Sequence, residues 1–447
     1  MKQLMLTAMA SGSGKTTVTC ALLAALKARG ISVQSFKCGP DYIDPMFHTR
    51  VLGIPSRNLD LFLQGPDGVR RTLSRCQADF ALLEGAMGYY DGVGGTSDAS
   101  AWQTADTANV PAVLVLRPGG SALTLAAQVR GLQSFHSPSH LKGLLLNGCK
   151  PGLHAYLRPI LERETGLPVL GYLPPMEEAV FPSRHLGLLT AGEISDLSAR
   201  IDALAAQLER TADVSALLAL AEGGGRPSAA PASAPVRCRI AVARDEAFCF
   251  LYEDNLDALR QSGAELVSFS PLRDKSLPPD VHGLYLAGGY PELHARALSE
   301  NRSMRESVRR AVEAGLPAVA ECGGFLYLQK TLEDDAGVSW PMAGALPGAG
   351  FRTERLQRFG YLTLTAEDDS LLLRRGETVP AHEFHYWDCT ENGASLTTRK
   401  PGRETAWHCG FAAPTLYAAF PHLHFNGQLP LARRFADRAA RWREEHT

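Results

Sequence analysis

Three things are scarce in this chain of 447 residues, and each scarcity closes off a class of protein. Paired cysteine is the first: there are nine cysteines, an odd count, and no C-x-x-C. That speaks against a disulfide framework and for free thiols in a reducing compartment. Net charge is the second, at −2 from 45 basic and 47 acidic residues. A chain so near neutrality gives no electrostatic reason to expect nucleic acid or an anionic membrane as partner. Long apolar runs are the third, since none reaches the roughly 18 residues that a membrane helix needs. The N-terminus, Met1-Lys2 and then Gln3 to Ala10, resembles a short secretory leader. Its apolar stretch of about six residues falls below the roughly 7–15 of such leaders, and cleavage would remove a strand. The expectation is a mature β-strand and a cytoplasmic protein.

What is present is an alternation of strands and helices. The length predicts two domains of roughly 200 residues each. Strands are predicted at Gln3–Ala8, Ser32–Lys37, Asp79–Glu84, Val110–Leu116 and Lys142–Asn147, with a helix at Lys15–Arg29. Such alternation indicates a parallel sheet covered on both faces, with ligands at the C-terminal strand ends. Residues 222–236 are rich in Gly, Pro, Ser and Ala and read as a linker. A second α/β pattern follows: strands at Arg239–Ala243, Leu266–Phe269, Gly283–Ala287 and Pro317–Ala320, and helices at Leu251–Ser262, Arg302–Ala314 and Gly323–Thr331. The expected division is 1–221, a linker at 222–236, and 237–447.

Residues 7–17 form a phosphate-binding loop between strand and helix. Such a loop needs glycines that let backbone N–H groups turn to an anion, a lysine for the outer phosphates, and a hydroxyl for Mg²⁺. Ser11, Gly12, Ser13, Gly14, Lys15, Thr16 and Thr17 supply them. The usual pattern has Gly where this chain has Met9, so Ser11-Gly12 is expected to substitute. Asp41 and Asp44 follow the second strand, three residues apart, and share a face of a helical start. Glu84 ends an apolar strand. Carboxylates at strand tips beside such a loop are candidate Mg²⁺ ligands or water-orienting groups.

Cys322 ends a strand, precedes Gly323-Gly324 and opens a helix. That is the layout of a nucleophile elbow, and the helix start together with a nearby histidine lowers a thiol pKa. Gly288 and Gly289 end the preceding strand and can aim N–H groups at an oxyanion. His422 and His424, two apart, face one side of a strand and are candidate bases. His382-Glu383-Phe384-His385 lacks metal-site spacing, so packing or substrate contact near the thiol is expected there. A phosphate loop and a thiol elbow in one chain point to ATP-driven chemistry fed by a product of a cysteine enzyme.

Seven segments in order carry a family resemblance: Ala10–Thr17, Lys37–Pro45, Glu84–Gly92, Gly288–Glu292, Glu321–Phe325, His382–Tyr386 and His422–Phe425. The set resembles the cobyrinic acid and hydrogenobyrinic acid a,c-diamide synthases, glutamine-dependent corrinoid amidases, over nearly the whole chain. The resemblance implies an α/β protein with a dethiobiotin-synthetase-like P-loop domain and a class I glutamine amidotransferase-like domain. It implies corrinoid, ATP with Mg²⁺, and L-glutamine as partners, and leaves a homodimer open. By resemblance, Cys322 attacks glutamine. Lys15 and Thr16 hold the triphosphate and Mg²⁺. Asp41, Asp44 and Glu84 serve the metal or an acyl-phosphate step, and Tyr42 and Ile43 touch the substrate. This family lacks the acid that completes a triad in most relatives, so a Cys–His dyad is expected, with His422 the base and His424 close behind. The alternatives are another macrocycle amidase, such as cobyric acid synthase or the nickel-sirohydrochlorin a,c-diamide synthase, or a partitioning-type ATPase switch with an inactive C-terminal domain.

Overall fold

The computed structural model describes residues 1–177, 191–223, 234–427 and 429–446. It divides into two compact units, Met1–Ala230 and Pro231–Thr447.

The first unit is built on one sheet. Its strands are β1 (Lys2–Ala8), β2 (Val33–Cys38), β3 (Ser56–Leu59), β4 (Phe80–Glu84), β5 (Ala112–Leu116), β6 (Leu141–Asn147), β7 (Val169–Leu173) and β8 (Glu222–Gly223). The order is β3-β2-β4-β1-β5-β6-β7, parallel throughout. Every residue of β4 and β5 is buried, as a parallel strand covered on both faces requires. Leu4, Leu6 and Ala8 pack into one core, which includes Leu22 and Leu26 of helix α1 (Lys15–Ala28). Met5 packs into the other. Glu222–Gly223, expected as linker, pairs instead as β8, antiparallel to β1 at Gln3 and Lys2. The reason is local. β5 pairs with β1 only from Met5 onward, so the first residues of β1 offer free backbone groups. Residues 224–233 of the expected linker lie outside the described residues.

The second unit holds two sheets. Its strands are β9 (Cys238–Ala243), β10 (Ala264–Phe269), β11 (Gly283–Leu286), β12 (Ala318–Glu321), β13 (Thr331–Glu333), β14 (Ser339–Pro341), β15 (Ala349–Ala366), β16 (Thr378–Cys389), β17 (Leu396–Arg399), β18 (Ala406–Cys409), β19 (Phe411–Ala413), β20 (Leu416–Ala419) and β21 (His422–Leu423). One sheet runs β10-β9-β11-β12-β20-β19, with only β19 antiparallel. The other runs β14-β13-β15-β16-β21, with β17 and β18 attached through β15. β15 and β16 form its long antiparallel ribbon, broken by register shifts between Arg352 and Gly360. The expected helix Gly323–Thr331 ends at Leu328, and Thr331 starts β13. Gln329 turns extended there, and its side-chain oxygen accepts from Gly348 N at 2.9 Å. No helix among the described residues is long and apolar enough to cross a membrane.

Candidate active sites

β1 runs into the phosphate loop and α1 leaves it. Gly12 and Gly14 take φ of +78° and +86°, which glycine adopts at no steric cost. The loop is braced from β6, where Asn147 Nδ2 donates to Ser13 O at 3.0 Å. A Cβ on Gly14 would stand 1.9 Å from that nitrogen. Lys15 Nζ donates to the carbonyls of Ala10 and Met87 at 3.3 and 2.5 Å. Burial, then the like charge of Lys37, brings its pKa down to about 8. Met9 stands where the usual pattern has glycine, and its backbone carbonyl lies against Gly88. A Cβ on Gly88 would fall 2.5 Å from Met9 O. Gly88 thus leaves room for the Met9 backbone; Ser11 is exposed and Thr17 half-buried.

Beside the loop lies a buried charge cluster. Lys37 and Glu84 are register partners at the ends of β2 and β4. Lys37 Nζ pairs with Asp44 Oδ2 at 2.5 Å and Glu84 Oε1 at 2.7 Å. Thr16 Oγ1 donates to Glu84 Oε1 at 2.7 Å and lies 3.5 Å from Asp44 Oδ2. Lys37 opens the Lys37–Pro45 motif, and its register with Glu84 makes it the cation of the cluster. His48, also unremarked in sequence, lies fully buried with Nε2 3.9 Å from Glu84 Oε2. The two aspartates are not equivalent. Burial, reinforced by Asp44, raises Asp41 to about 7. Asp44 (in α2, Ile43–Arg50) is buried too, but Lys37 outweighs the burial and holds its carboxyl below the usual range. Asp41 Oδ1 accepts from Ile43 N at 2.8 Å, which starts the helix. Tyr42 is buried and Ile43 packs against the first core.

A divalent cation can be tested against this donor set. Thr16, Asp44 and Glu84 offer hard oxygens, and Glu84 Oε2 is buried with no hydrogen-bond partner. Among the described residues, no group of three or more His, Cys, Asp or Glu has the geometry of a complete metal site. The set still fits Mg²⁺, which takes one or two carboxylates and completes its shell with phosphate and water.

In the second unit, β12 ends at Glu321 and Cys322 turns sharply into the helix Gly323–Leu328, at φ +48° and ψ −102°. A non-glycine residue at positive φ is a local strain, one that recurs at nucleophile elbows. Two glycines permit the turn. A Cβ on Gly324 would sit 2.1 Å from Leu286 O at the end of β11, and one on Gly323 would sit 3.0 Å from Gly289 N. Gly289 N–H finds no acceptor among the described residues. A Cβ on Gly288 would meet His422 Cε1 at 2.5 Å. The Gly288-Gly289 turn thus touches the imidazole on one side and the elbow on the other.

The two histidines divide. His422 lies on β21 opposite His382. His424 lies beyond the strand's end, its ring 4.8 Å from Tyr252 and its Nδ1 accepting from Asn426 N at 3.3 Å. β21 ends at Leu423, so only His422 belongs to the strand itself. Burial, with His382 and His385 adding, pushes His422 down to about 3, so the ring is neutral. The thiol also departs from expectation. Burial first, then the charges of Glu292 and Glu383, raise Cys322 well above an ordinary thiol. Full burial and nearby carboxylates overcome the lowering expected from the helix start.

A hydrogen-bonded clamp fixes the strand that carries His422. Glu321 Oε1 accepts from Leu423 N at 2.9 Å, and Oε2 accepts from Tyr285 OH at 3.0 Å. Asn255 Nδ2 donates to Tyr285 OH at 3.3 Å and to Leu423 O at 2.9 Å, while its Oδ1 accepts from Phe425 N at 2.7 Å. None of these three residues was a sequence candidate, although Glu321 adjoins the cysteine. His385 pairs through Nε2 with Glu383 Oε1 at 2.8 Å and stacks on Phe420 at 3.9 Å.

Known proteins bear directly on this pair of sites. Residues 4–188 match the family described as CobQ/CobB/MinD/ParA nucleotide binding domain, and residues 239–429 match the CobB/CobQ-like glutamine amidotransferase domain. With the fold and the two sites, this defines a glutamine-dependent amidotransferase ligase whose other half is a P-loop nucleotide-binding domain. Cobyrinate a,c-diamide synthase of Clostridium acetobutylicum is 39% identical over 96% of this chain and 98% of its own length. The enzymes of the same name from a Synechococcus strain and Salmonella typhimurium are each 41% identical, over 95% and 93% of this chain and the same shares of their own. This chain belongs to the cobyrinate a,c-diamide synthase family. Among solved structures, PurLQS from Thermotoga maritima is similar to 46% of this chain and 98% of its own, at 15% identity and a TM-score of 0.32.

Proposed function

We propose that this protein amidates the a and c acetate carboxylates of cobyrinate, or of its cobalt-free counterpart hydrogenobyrinate, in two ATP- and glutamine-dependent cycles of cobalamin biosynthesis. The observation that carries the reading is the strained Cys322 elbow, set against the Gly288-Gly289 turn that also meets His422. There the Cys322 sulfur attacks the side-chain amide carbon of glutamine. His422 takes the thiol proton and passes it to the departing nitrogen, which leaves as ammonia. The thioester is then hydrolysed to glutamate. The unpaired Gly289 N–H is placed to stabilise the oxyanion of both steps. A neutral imidazole and a protonated thiol, both reached by the Gly288-Gly289 turn, suit this order, in which the proton moves as the sulfur attacks.

In the first unit, Gly12, Gly14 and Lys15 cradle the phosphates of ATP. Thr16, Asp44 and Glu84 would hold Mg²⁺, which would offset charge on those phosphates. Lys37 stays cationic in its cluster and holds Asp44 and Glu84 in place. The substrate carboxylate becomes an acyl phosphate, and ammonia displaces the phosphate to leave an amide. Asp41, Tyr42 and Ile43 begin the segment that leads into this site, and a substrate-contacting role is proposed for them on that position alone, although Tyr42 is buried and Ile43 packs against the core.

The test is Cys322→Ala. Glutamine-dependent amidation of cobyrinate should vanish, and ammonia-dependent amidation should persist, each amide lowering the product mass by about one unit as OH is replaced by NH₂. Loss of both activities in a folded variant would refute the two-site reading.

A further inference from the structure

Two buried polar atoms of the first unit face each other without a hydrogen bond. His48 Nε2 and Glu84 Oε2 lie 3.9 Å apart, and neither has a partner among the described residues. Both side chains are fully buried. Buried polar groups are rarely left so, because each has given up water for nothing. Yet 3.9 Å is about 1 Å beyond a hydrogen bond.

The chain brings them together by two periodicities. Asp44 and His48 are four apart on α2 and share one face of it. Ser35 and Lys37 are two apart on β2 and share one side of it. Two links join helix to strand: Asp44 Oδ2 meets Lys37 Nζ at 2.5 Å, and His48 Nδ1 meets Ser35 Oγ at 2.8 Å. Glu84, the register partner of Lys37 on β4, lies across both links.

The Ser35 bond decides which ring nitrogen carries the hydrogen. Burial lowers the His48 pKa, so the ring is neutral and has a single N–H. Were that hydrogen on Nδ1, the bare Nε2 would face a carboxylate oxygen, lone pair against lone pair. With the Ser35 hydroxyl donating to Nδ1, the hydrogen sits on Nε2 and points to Glu84. A second hydroxyl accounts for the gap. Thr16 Oγ1 donates to Glu84 Oε1 at 2.7 Å and draws the carboxylate to its own side. In the Mg²⁺-loaded site proposed above, that hydroxyl oxygen turns to the cation, and Glu84 loses a donor.

Resting on that metal reading, we propose that His48 is a positioning residue, which donates from Nε2 to Glu84 Oε2 in the loaded site and sets the angle at which this carboxylate meets the cation. A carboxylate oxygen has two lone pairs, so Oε2 can accept this bond and still face a metal. Ser35 stands behind the ring and fixes its tautomer. Lys37 alone does not do this work, since it holds only Oε1 and leaves the carboxylate free to turn about that contact.

The experiment measures Mn²⁺ binding, by electron paramagnetic resonance, to the full-length enzyme holding a non-hydrolysable ATP analogue. It compares the wild type with His48→Leu, His48→Gln and Ser35→Ala. Affinity for the analogue without metal, read by calorimetry, is the control. His48→Leu should weaken Mn²⁺ by roughly tenfold to hundredfold, the usual effect of removing a partner that orients a metal ligand, and leave the metal-free affinity unchanged. His48→Gln, whose amide N–H can stand near Nε2, should recover part of the loss. Ser35→Ala should lose less than His48→Leu. Unchanged Mn²⁺ affinity in His48→Leu overturns the proposal. So do equal falls with and without metal, which would make His48 a structural prop. Should His48→Leu not fold, Ser35→Ala decides by the same two comparisons, and a chain that folds with neither change overturns the proposal as well. A wild type that takes up no Mn²⁺ beside the analogue sinks the metal reading itself, a separate outcome.

Discussion

Replacing Glu321 by Gln should make the protein more stable at pH 8, which is unusual for a change beside a nucleophile. Glu321 is buried with no cation, and burial raises its carboxyl to about 7 from an ordinary 4.5. Between those pH values the folded state holds a proton that the unfolded state has lost. Stability therefore falls as pH rises through that window, by roughly 3 kcal/mol in all. Gln carries no charge, so it escapes this loss. Its oxygen can still accept from Leu423 N, while its amide faces Tyr285 OH. One hydroxyl hydrogen is then unpaired, which costs about 1 kcal/mol. The net gain is about 2 kcal/mol at pH 8, or roughly 4–8 °C for a unit of this size. Calorimetry on the full chain at pH 8 and pH 5 reads it. The advantage should disappear at pH 5, where wild-type Glu321 is protonated. A companion, Glu321→Leu, strips both acceptors and frees the strand that carries His422. Its glutaminase kcat should fall roughly a hundredfold, as for a catalytic group misplaced by about an ångström, whereas Glu321→Gln stays within about tenfold. The reasoning is refuted if the Gln variant gains nothing at pH 8, or gains as much at pH 5.

Two further outcomes follow from the geometry. Gly324→Ala puts a methyl 2.1 Å from Leu286 O, a backbone atom that cannot step aside. A loss of more than about 2 kcal/mol and of glutaminase activity is expected, whereas Gly12→Ala, with open space around its Cβ, should cost only about 1 kcal/mol from its positive φ. Lys37→Met leaves Asp44 and Glu84 buried without their cation. Urea unfolding should show a loss of about 3–5 kcal/mol, and ATP-dependent amidation should disappear.

By itself the sequence determined whatever depends on neighbouring residues. The central parallel strands of the first unit read as unbroken apolar runs because both their faces are buried, so Glu84 could be placed at a strand tip. Gly12, Gly14, Gly323 and Gly324 marked the tight turns because only glycine tolerates those backbone angles or that crowding. Tertiary structure alone decided whatever depends on distance through space. Lys37 meets Glu84 only through the register of β2 with β4. The β15–β16 ribbon pairs residues far apart along the chain, and its alternating burial is a weak signal among mixed polar residues. That the Gly288-Gly289 turn comes against the ring of His422 is a meeting of segments far apart in the chain. The clamp of Glu321, Tyr285 and Asn255, and the raised thiol of Cys322, arise from groups on separate segments. Charge and hydrogen bonding act across a few ångströms, and which residues come that close is settled only when the chain has folded.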